Sequence, residues 1–189
     1  MATGKTGKVL VVDDETDVLF ALKMLLKTEV KEVVTEKNPD NLLSLLSKEK
    51  FDVIIVDSSE PIGPATPLFN VDFYKDVAQC LTDDGIVVSQ GESPYYDMKM
   101  QKVLVKILAE VFPKVHIYNY CNMSYPSGLW SFTYASKGIC PIKDFDSARV
   151  KEKHQYYNSE LHKGAFLIPQ FMKDEHGESL TSLPPLKWS

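Results

Sequence analysis

Short runs of apolar, largely β-branched residues alternate along the chain with stretches in which apolar residues recur every three or four positions. The runs predict buried strands, and the periodic stretches predict amphipathic helices. Four predicted strands cover residues 8–12, 32–35, 52–57 and 86–89. The predicted helices cover residues 16–27, a segment that begins at residues 38–40, residues 71–81 and residues 96–111. This alternation predicts a doubly wound, mostly parallel sheet of the α/β class.

Two further strands are predicted near the end of this pattern, at residues 115–120 and 129–135, and a turn lies between them. The link is too short for a helical crossover, so we expect these two strands to pair antiparallel. We expect residues 1–176 to form a single α/β domain. Residues 177–189, which include two consecutive prolines, are expected to form a loose C-terminal tail.

Composition and charge argue against several classes of function. The net charge is −5, so we expect neither a nucleic acid nor an anionic membrane as a partner. No apolar run approaches the roughly 20 residues of a membrane span. The first residues also lack the apolar core of a secretion signal. Three widely spaced cysteines suit reduced thiols better than a disulfide framework or a zinc site, so we expect a cytoplasmic protein.

The segment 51–64, FDVIIVDSSEPIGP, carries the main candidate for chemistry. Its predicted strand stops at Asp57, and ligands of open α/β sheets bind beyond the carboxyl ends of the strands. The first predicted strand ends at the same edge in Asp13 and Asp14. Two interpretations stay open: these carboxylates form a functional cluster, or they end strands and cap loops in solvent.

The run VLVVDDE resembles the receiver domain of two-component response regulators, and the resemblance covers about residues 8–57. It implies that Asp13 and Asp14 bind a metal and that Asp57 accepts a phosphoryl group. Three carboxylates at adjacent strand ends form a hard oxygen site, so we expect weak Mg²⁺ binding there. The resemblance also implies a hydroxyl at the end of the fourth strand, where Ser89 lies, and a lysine after the fifth strand, where the sequence has none.

From residue 51 to about residue 175 the chain resembles the carboxyl-terminal part of spermidine synthase, the polyamine aminopropyltransferase. The segments that carry this resemblance include FDVIIVDSSEPIGPATPLFNVDFY, GIVVSQGES and YPSGLWSFTYASKG. It implies that Asp57 is the catalytic carboxylate that takes a proton from the substrate amine. It also implies that Glu60 holds a diamine such as putrescine, that Tyr125 lines the diamine pocket, and that Gln90 lies nearby.

The two resemblances together imply a Rossmann-like three-layer sandwich with strand order 2-1-3-4-6-5, in which strand 6 is antiparallel to the rest. Spermidine synthases also need a glycine-rich loop after the first strand, where this chain has Asp13, Asp14 and Glu15.

Because each resemblance lacks part of its own chemistry, we predict a chimera of a receiver-like segment, 8–57, and a spermidine-synthase-like segment, 51–176. We expect it to be an engineered scaffold that requires no cofactor and has no efficient native activity. Two alternatives remain. The first is a polyamine aminopropyltransferase or diamine binder, and the second is a receiver that can be phosphorylated.

Overall fold

The computed structural model describes residues 6–13, 15–38, 41, 44–45, 47–57, 63–125, 128–150 and 154–186. The strands in these residues are β1 (Lys8–Val12), β2 (Glu32–Glu36), β3 (Phe51–Val56), β4 (Leu81–Gln90), β5 (Lys114–Cys121) and β6 (Leu129–Ser136). The α-helices are α1 (Thr16–Leu26), α2 (Val71–Cys80), α3 (Met98–Val111), α4 (Ser159–Ala165) and α5 (Gln170–His176). Short 3-10 helices lie at Gly63–Leu68, Ser147–Arg149 and Gly177–Ser179.

The six strands form one sheet in the order β2-β1-β3-β4-β6-β5. Neighbours among the first four strands of this order are parallel, whereas β6 is antiparallel to both β4 and β5. The predicted strand order and the direction of strand 6 are therefore confirmed. In this order the carboxyl ends of β1, β3 and β4 lie at the same edge of the sheet.

Strand β4 begins earlier than the sequence predicted. The strand was predicted over residues 86–89, but β4 spans Leu81–Gln90 and so includes Asp83, Asp84 and Gly85. Its pairing with β3 shifts at this point, because Phe51 is opposite Leu81 whereas Val53 is opposite Ile86. The early residues of β4 thus include an irregularity in its pairing with β3. Of the predicted helix start at residues 38–40, residues 39 and 40 lie outside the described part of the chain, whereas residues 41, 44 and 45 are helical.

The two faces of the sheet are covered by different helices. On one face, α2 and α3 bury the larger apolar cluster, which includes Leu10, Ile54 and Val87 from three adjacent strands. On the opposite face, α1 contributes Leu19 to a smaller cluster with Val9 and Val11 of β1. The alternating side chains of each central strand therefore enter two separate apolar layers, as a three-layer sandwich requires.

Residues after α5 contact the edge of the sheet. The Thr181 amide donates to the Val115 carbonyl at 2.8 Å, and the Val115 amide donates to Thr181 Oγ1 at 2.9 Å. Thr181 therefore satisfies both backbone groups of one residue on the edge strand β5. None of the helices in the described residues is long and apolar enough to cross a membrane.

Candidate active site

Asp57 lies immediately after β3, at the carboxyl edge of the sheet. Its backbone amide donates to the Val12 carbonyl at 3.1 Å, which extends the pairing of β1 and β3 by one residue. The side chain is half-buried, and this burial raises the pKa of the Asp57 carboxyl. A carboxylate that is partly removed from water holds a proton more readily, so Asp57 is suited to act as a base.

Asp13 occupies the equivalent position after β1, since Val12 and Val56 are paired in register. It is buried, and its Oδ1 accepts a hydrogen bond from the Glu15 amide at 2.6 Å. The Asp13 side chain thus closes the turn that leads into α1. Asp14, the next acid in the sequence, lies outside the described residues.

The described residues contain no group of three or more histidine, cysteine or acidic side chains that is arranged to hold a metal ion. Because Asp14 is not among the described residues, the Mg²⁺ site predicted at Asp13, Asp14 and Asp57 stays a prediction.

Gln90 is the last residue of β4, and it is half-buried opposite Phe132 of β6. Phe132 is in turn opposite Tyr118 of β5, so these three side chains share one face of the sheet. Glu60, the other residue predicted to hold the diamine, lies outside the described residues. The substrate-binding roles of Gln90 and Glu60 stay predictions.

Aromatic rings line the same face on the β5–β6 hairpin. Phe132 stacks against Tyr118 and Tyr120, with ring centroids 5.5 and 5.3 Å apart. Beyond the end of β5, Tyr125 stacks on Trp130 at 4.6 Å while half of its surface stays exposed. Ring faces carry negative potential, so this surface favours cations.

Glu92, two residues after β4, is a candidate that the sequence reasoning missed. It is a buried carboxylate at the carboxyl edge, and its φ of +57° lies in the left-handed region. The missed signal is close to the rule that singled out Asp57: an acid lies within two residues of the end of a strand, at the ligand-binding edge. The left-handed backbone that re-aims this residue has no signature in the sequence.

The pKa values of two tyrosine hydroxyls, Tyr118 and Tyr120, respond to the acidic side chains at this edge of the sheet. Burial raises the pKa of the Tyr120 hydroxyl, and the charges of Asp57, Tyr125 and Glu92 raise it further. The charge of Asp57 also acts on the buried Tyr118 hydroxyl, whose pKa is raised mainly by burial. Asp57 and Glu92 are therefore both near enough to Tyr120 for their charges to act on its hydroxyl.

Ser89, the hydroxyl that the receiver resemblance singled out, has a different environment. Its side chain is buried on the face covered by α2 and α3, and its Oγ lies 2.9 Å from the Tyr74 hydroxyl of α2. The hydroxyl is therefore engaged in the core of the protein.

A cavity of about 480 Å³ adjoins the site, and Tyr118 and Tyr120 belong to both. Its wall combines aromatic and aliphatic side chains and includes His162 of α4, which stacks on Phe145 with ring centroids 3.9 Å apart. His162 Nε2 donates to the Pro141 carbonyl at 2.8 Å, so Nδ1 is the acceptor for the Tyr157 hydroxyl at 3.0 Å. Burial lowers the pKa of His162, which fits this neutral tautomer.

Comparison with known proteins identifies the family. A family model described as "Spermine/spermidine synthase domain" matches residues 7–146. The polyamine aminopropyltransferase of Clostridioides difficile is 44% identical over 139 residues, a match that covers 71% of this chain and 49% of that protein. The corresponding protein of Caldicellulosiruptor bescii is 46% identical over 129 residues, which cover 68% of this chain and 46% of that protein. The chain thus spans about half the length of the curated relatives it matches.

Solved structures agree with this assignment. A crystal structure of spermidine synthase in complex with the transition state analogue AdoDATO has a TM-score of 0.75 and 31% identity. The match covers 93% of this chain and 70% of that one. The spermidine synthase of Thermotoga maritima has a TM-score of 0.71 and 29% identity, with 93% of this chain and 69% of that one covered.

These findings correct the prediction of a chimeric scaffold without efficient native activity, which is wrong. The family match runs from residue 7 to residue 146 without a break, so it includes the segment 8–57 that was assigned to a receiver domain. The relatives are enzymes by name, and they favour the alternative reading of an aminopropyltransferase. The chain belongs to the spermine/spermidine synthase domain family.

Proposed function

We propose that this chain is a polyamine aminopropyltransferase that moves an aminopropyl group from decarboxylated S-adenosylmethionine to a diamine such as putrescine. The observation that carries the proposal is the half-buried carboxyl of Asp57 at the carboxyl edge of the sheet, which burial makes a stronger base and whose charge, like that of Glu92, acts on the Tyr120 hydroxyl. The similarity to polyamine aminopropyltransferases at 44–46% identity supports it.

The acceptor enters the site as a dication, because both amines of a diamine are protonated at neutral pH. The carboxylates of Asp57 and Glu92 attract it, and the exposed face of Tyr125 offers a further surface for an ammonium group. Gln90, at the end of β4, supplies an amide that can bond an amine. In this arrangement Tyr125 and Gln90 orient the diamine without changing its charge.

Reaction requires that one ammonium lose its proton, since only the free amine has a lone pair. Asp57 takes this proton, and the amine nitrogen then attacks the carbon bonded to the sulfonium sulfur of the donor. A carbon–nitrogen bond forms as the carbon–sulfur bond breaks, and the bonding electrons leave with the sulfur as a neutral thioether. The new secondary amine is protonated, so charge and atoms balance.

The donor is also cationic, because it carries a sulfonium and an ammonium group but no carboxylate. Asp13 and Asp57 follow neighbouring, register-paired strands and place negative charge where such a donor would lie. The turn after β1 has no glycine, and the Asp13 side chain holds it through the Glu15 amide. We therefore propose that charge attraction at this edge contributes to donor binding in this chain.

The proposal is tested by steady-state assays of spermidine formation from the two substrates, followed by chromatography. We expect Asp57→Asn to lower kcat about 100-fold or more with a small change in KM, because the amide cannot accept the proton. The matched control is Asp84→Asn, an exposed acid in the amino-terminal part of β4, and it should leave both constants unchanged. Equal activity of wild type and Asp57→Asn, or no spermidine from the wild type, would contradict the proposal.

A further inference from the structure

A separate cavity of about 560 Å³ lies at the outer edge of the sheet, beside β5. Its walls come from β5, from the turn between α4 and α5, and from residues 180–186, which follow α5. Most of the lining side chains are apolar, among them Leu167, Ile168 and Leu183. Cavities of this size hold small organic ligands. This edge cavity shares no lining residue with the candidate active site, because β5 lies three positions from β3 in the sheet.

Lys173 of α5 gives the edge cavity a positive charge. Among the described residues that line the cavity, it is the only charged side chain. The two acids that follow it in sequence are engaged elsewhere: Asp174 accepts from Gln170 Nε2 at 2.8 Å, and Glu175 pairs with Lys102 at 2.7 Å. Lys173 itself forms no ion pair with any residue that the structure describes. The wall therefore carries one unbalanced cation, which an anionic ligand complements.

His116 of β5 adds a buried polar atom to the same wall. The residue is 2% exposed, and its Nε2 has no hydrogen-bond partner in the described part of the chain. Burial lowers the pKa of the ring to about 4, so the imidazole is neutral at pH 7 and one of its nitrogens carries a hydrogen. A buried polar atom without a partner costs free energy. A ligand oxygen within hydrogen-bond reach of the ring would remove that cost.

The backbone of β5 offers a further donor at this edge. Both backbone groups of Val115 bond outward to Thr181, and the Cys121 amide donates outward to the Tyr156 hydroxyl. In an antiparallel pair alternate residues turn their backbone groups away from the partner strand, so Ile117 does the same. Ile117 lines the cavity, and its amide forms no bond outside the sheet within the described residues. Its N–H is therefore available to an acceptor in the cavity.

We propose that the edge cavity binds an aliphatic carboxylate, whose hydrocarbon chain packs on the apolar wall while its carboxylate pairs with Lys173 and accepts hydrogen bonds from the donors of β5. A monoanion fits better than a phosphate dianion, because one cation balances one charge and a second charge would stay unbalanced in apolar surroundings. The proposal does not depend on aminopropyl transfer, since the cavity is separate from Asp57.

Calorimetric titration with octanoate tests the proposal, with octylamine as a ligand of the same chain length and opposite charge. We expect the wild type to bind octanoate more tightly than octylamine. Lys173→Met should weaken octanoate binding about fivefold, because methionine keeps an apolar stem and removes the charge. Lys173→Arg, which keeps the charge, should retain binding. The matched control is Lys99→Met, an exposed lysine on α3, which should bind octanoate as the wild type does.

NMR spectra of the wild type locate the bound octanoate. The Ile117 amide and the His116 ring resonances should shift on titration, whereas the Val34 amide on β2, at the opposite edge of the sheet, should not. Thermal unfolding shows that each variant is folded under the titration conditions. The proposal is overturned if the wild type binds no octanoate, if octylamine binds equally well, or if Lys173→Met and Lys99→Met have the same effect. Shifts confined to residues outside the edge cavity would also overturn it.

Discussion

The hydroxyl oxygens of Tyr74 and Ser89 lie 2.9 Å apart on the face of the sheet that α2 and α3 cover. Both side chains are buried, and burial raises the pKa of the Tyr74 hydroxyl above its ordinary value. The pair thus joins helix α2 to strand β4 through one side-chain hydrogen bond within the layer that holds the larger apolar cluster.

Removing either hydroxyl should destabilise the fold. We expect Tyr74→Phe and Ser89→Ala each to lower the free energy of unfolding by about 1–2 kcal/mol, because each leaves one buried hydroxyl without its partner. The double variant should lose less than the sum of the two, since it leaves no orphaned group. Urea denaturation measures all four proteins, and strictly additive losses would show that the hydrogen bond contributes nothing.

Asp57 should lower the stability of the folded protein at neutral pH. Its pKa is raised in the folded state by burial, so the ionised carboxylate is disfavoured there. The cost is complete above the folded pKa and disappears as the pH falls below the unfolded value of about 3.9. We expect Asp57→Asn to be more stable than wild type at pH 7 by on the order of 1 kcal/mol, with the difference vanishing in acid. Urea denaturation at several pH values measures it, with Asp84→Asn as control, and a pH-independent difference would contradict this account.

Gly91 should not tolerate a side chain. The Cβ of Gly91→Ala would meet Ser131 Oγ at 2.7 Å and the Ser131 carbonyl oxygen at 3.3 Å, so one chain must move. We expect a loss of about 1–3 kcal/mol in unfolding free energy, part of which Ser131→Ala recovers. The matched control is Gly138→Ala, whose Cβ would have no neighbour within 4 Å and which should change stability by less than about 0.5 kcal/mol. Thermal or urea unfolding measures the stability of both variants. Equal losses of unfolding free energy for Gly91→Ala and Gly138→Ala would contradict the predicted clash.

Two buried histidines should make the protein sensitive to mild acid. Burial lowers the pKa of His116 and of His176 to about 4, and the nearby charges of Lys114 and Lys102 add to the effect. Both rings are neutral in the folded state, whereas the unfolded chain takes up protons as the pH falls through about 6.5. Folding stability should therefore fall between pH 6.5 and pH 5, by on the order of 2 kcal/mol for the pair.

The measurement combines urea denaturation across this pH range with NMR titration of the imidazole resonances. We expect the folded-state resonances of His116 and His176 to keep their neutral shifts down to pH 5. A constant unfolding free energy over this range, or protonation of either ring near pH 6.5, would contradict the prediction.

The sequence by itself determined the order of the strands and helices and the position of Asp57. The reason is local: strands buried on both faces need continuous apolar runs, and amphipathic helices need a 3.6-residue repeat, so both leave a direct trace in the chain. An acid that ends such a run falls at the carboxyl edge of the sheet wherever the strand lies. The order of the sheet followed from the family resemblance, and the structure confirms it.

Because a strand pattern is local, it also explains why residues 8–57 were wrongly assigned to a receiver domain. Any parallel strand buried on both faces selects the same β-branched residues, so VLVV followed by acids fits more than one α/β family. Residues 8–57 therefore resembled a receiver domain, while the family match covers them together with the rest of the sheet. The composition of a strand indicates that it is buried. It does not distinguish between α/β families whose sheets are buried on both faces in the same way.

Only the tertiary structure decided which side chains meet. The left-handed conformation of Glu92 depends on Ser131 of β6, which lies 39 positions away in sequence, and on Gln101 of α3, which bonds Gly91 from 10 positions away. Ser89 became a core residue because alternation along β4 turns its hydroxyl toward Tyr74 of α2. Such contacts between distant segments follow from strand register and helix packing, which the hydrophobic pattern of one segment does not specify.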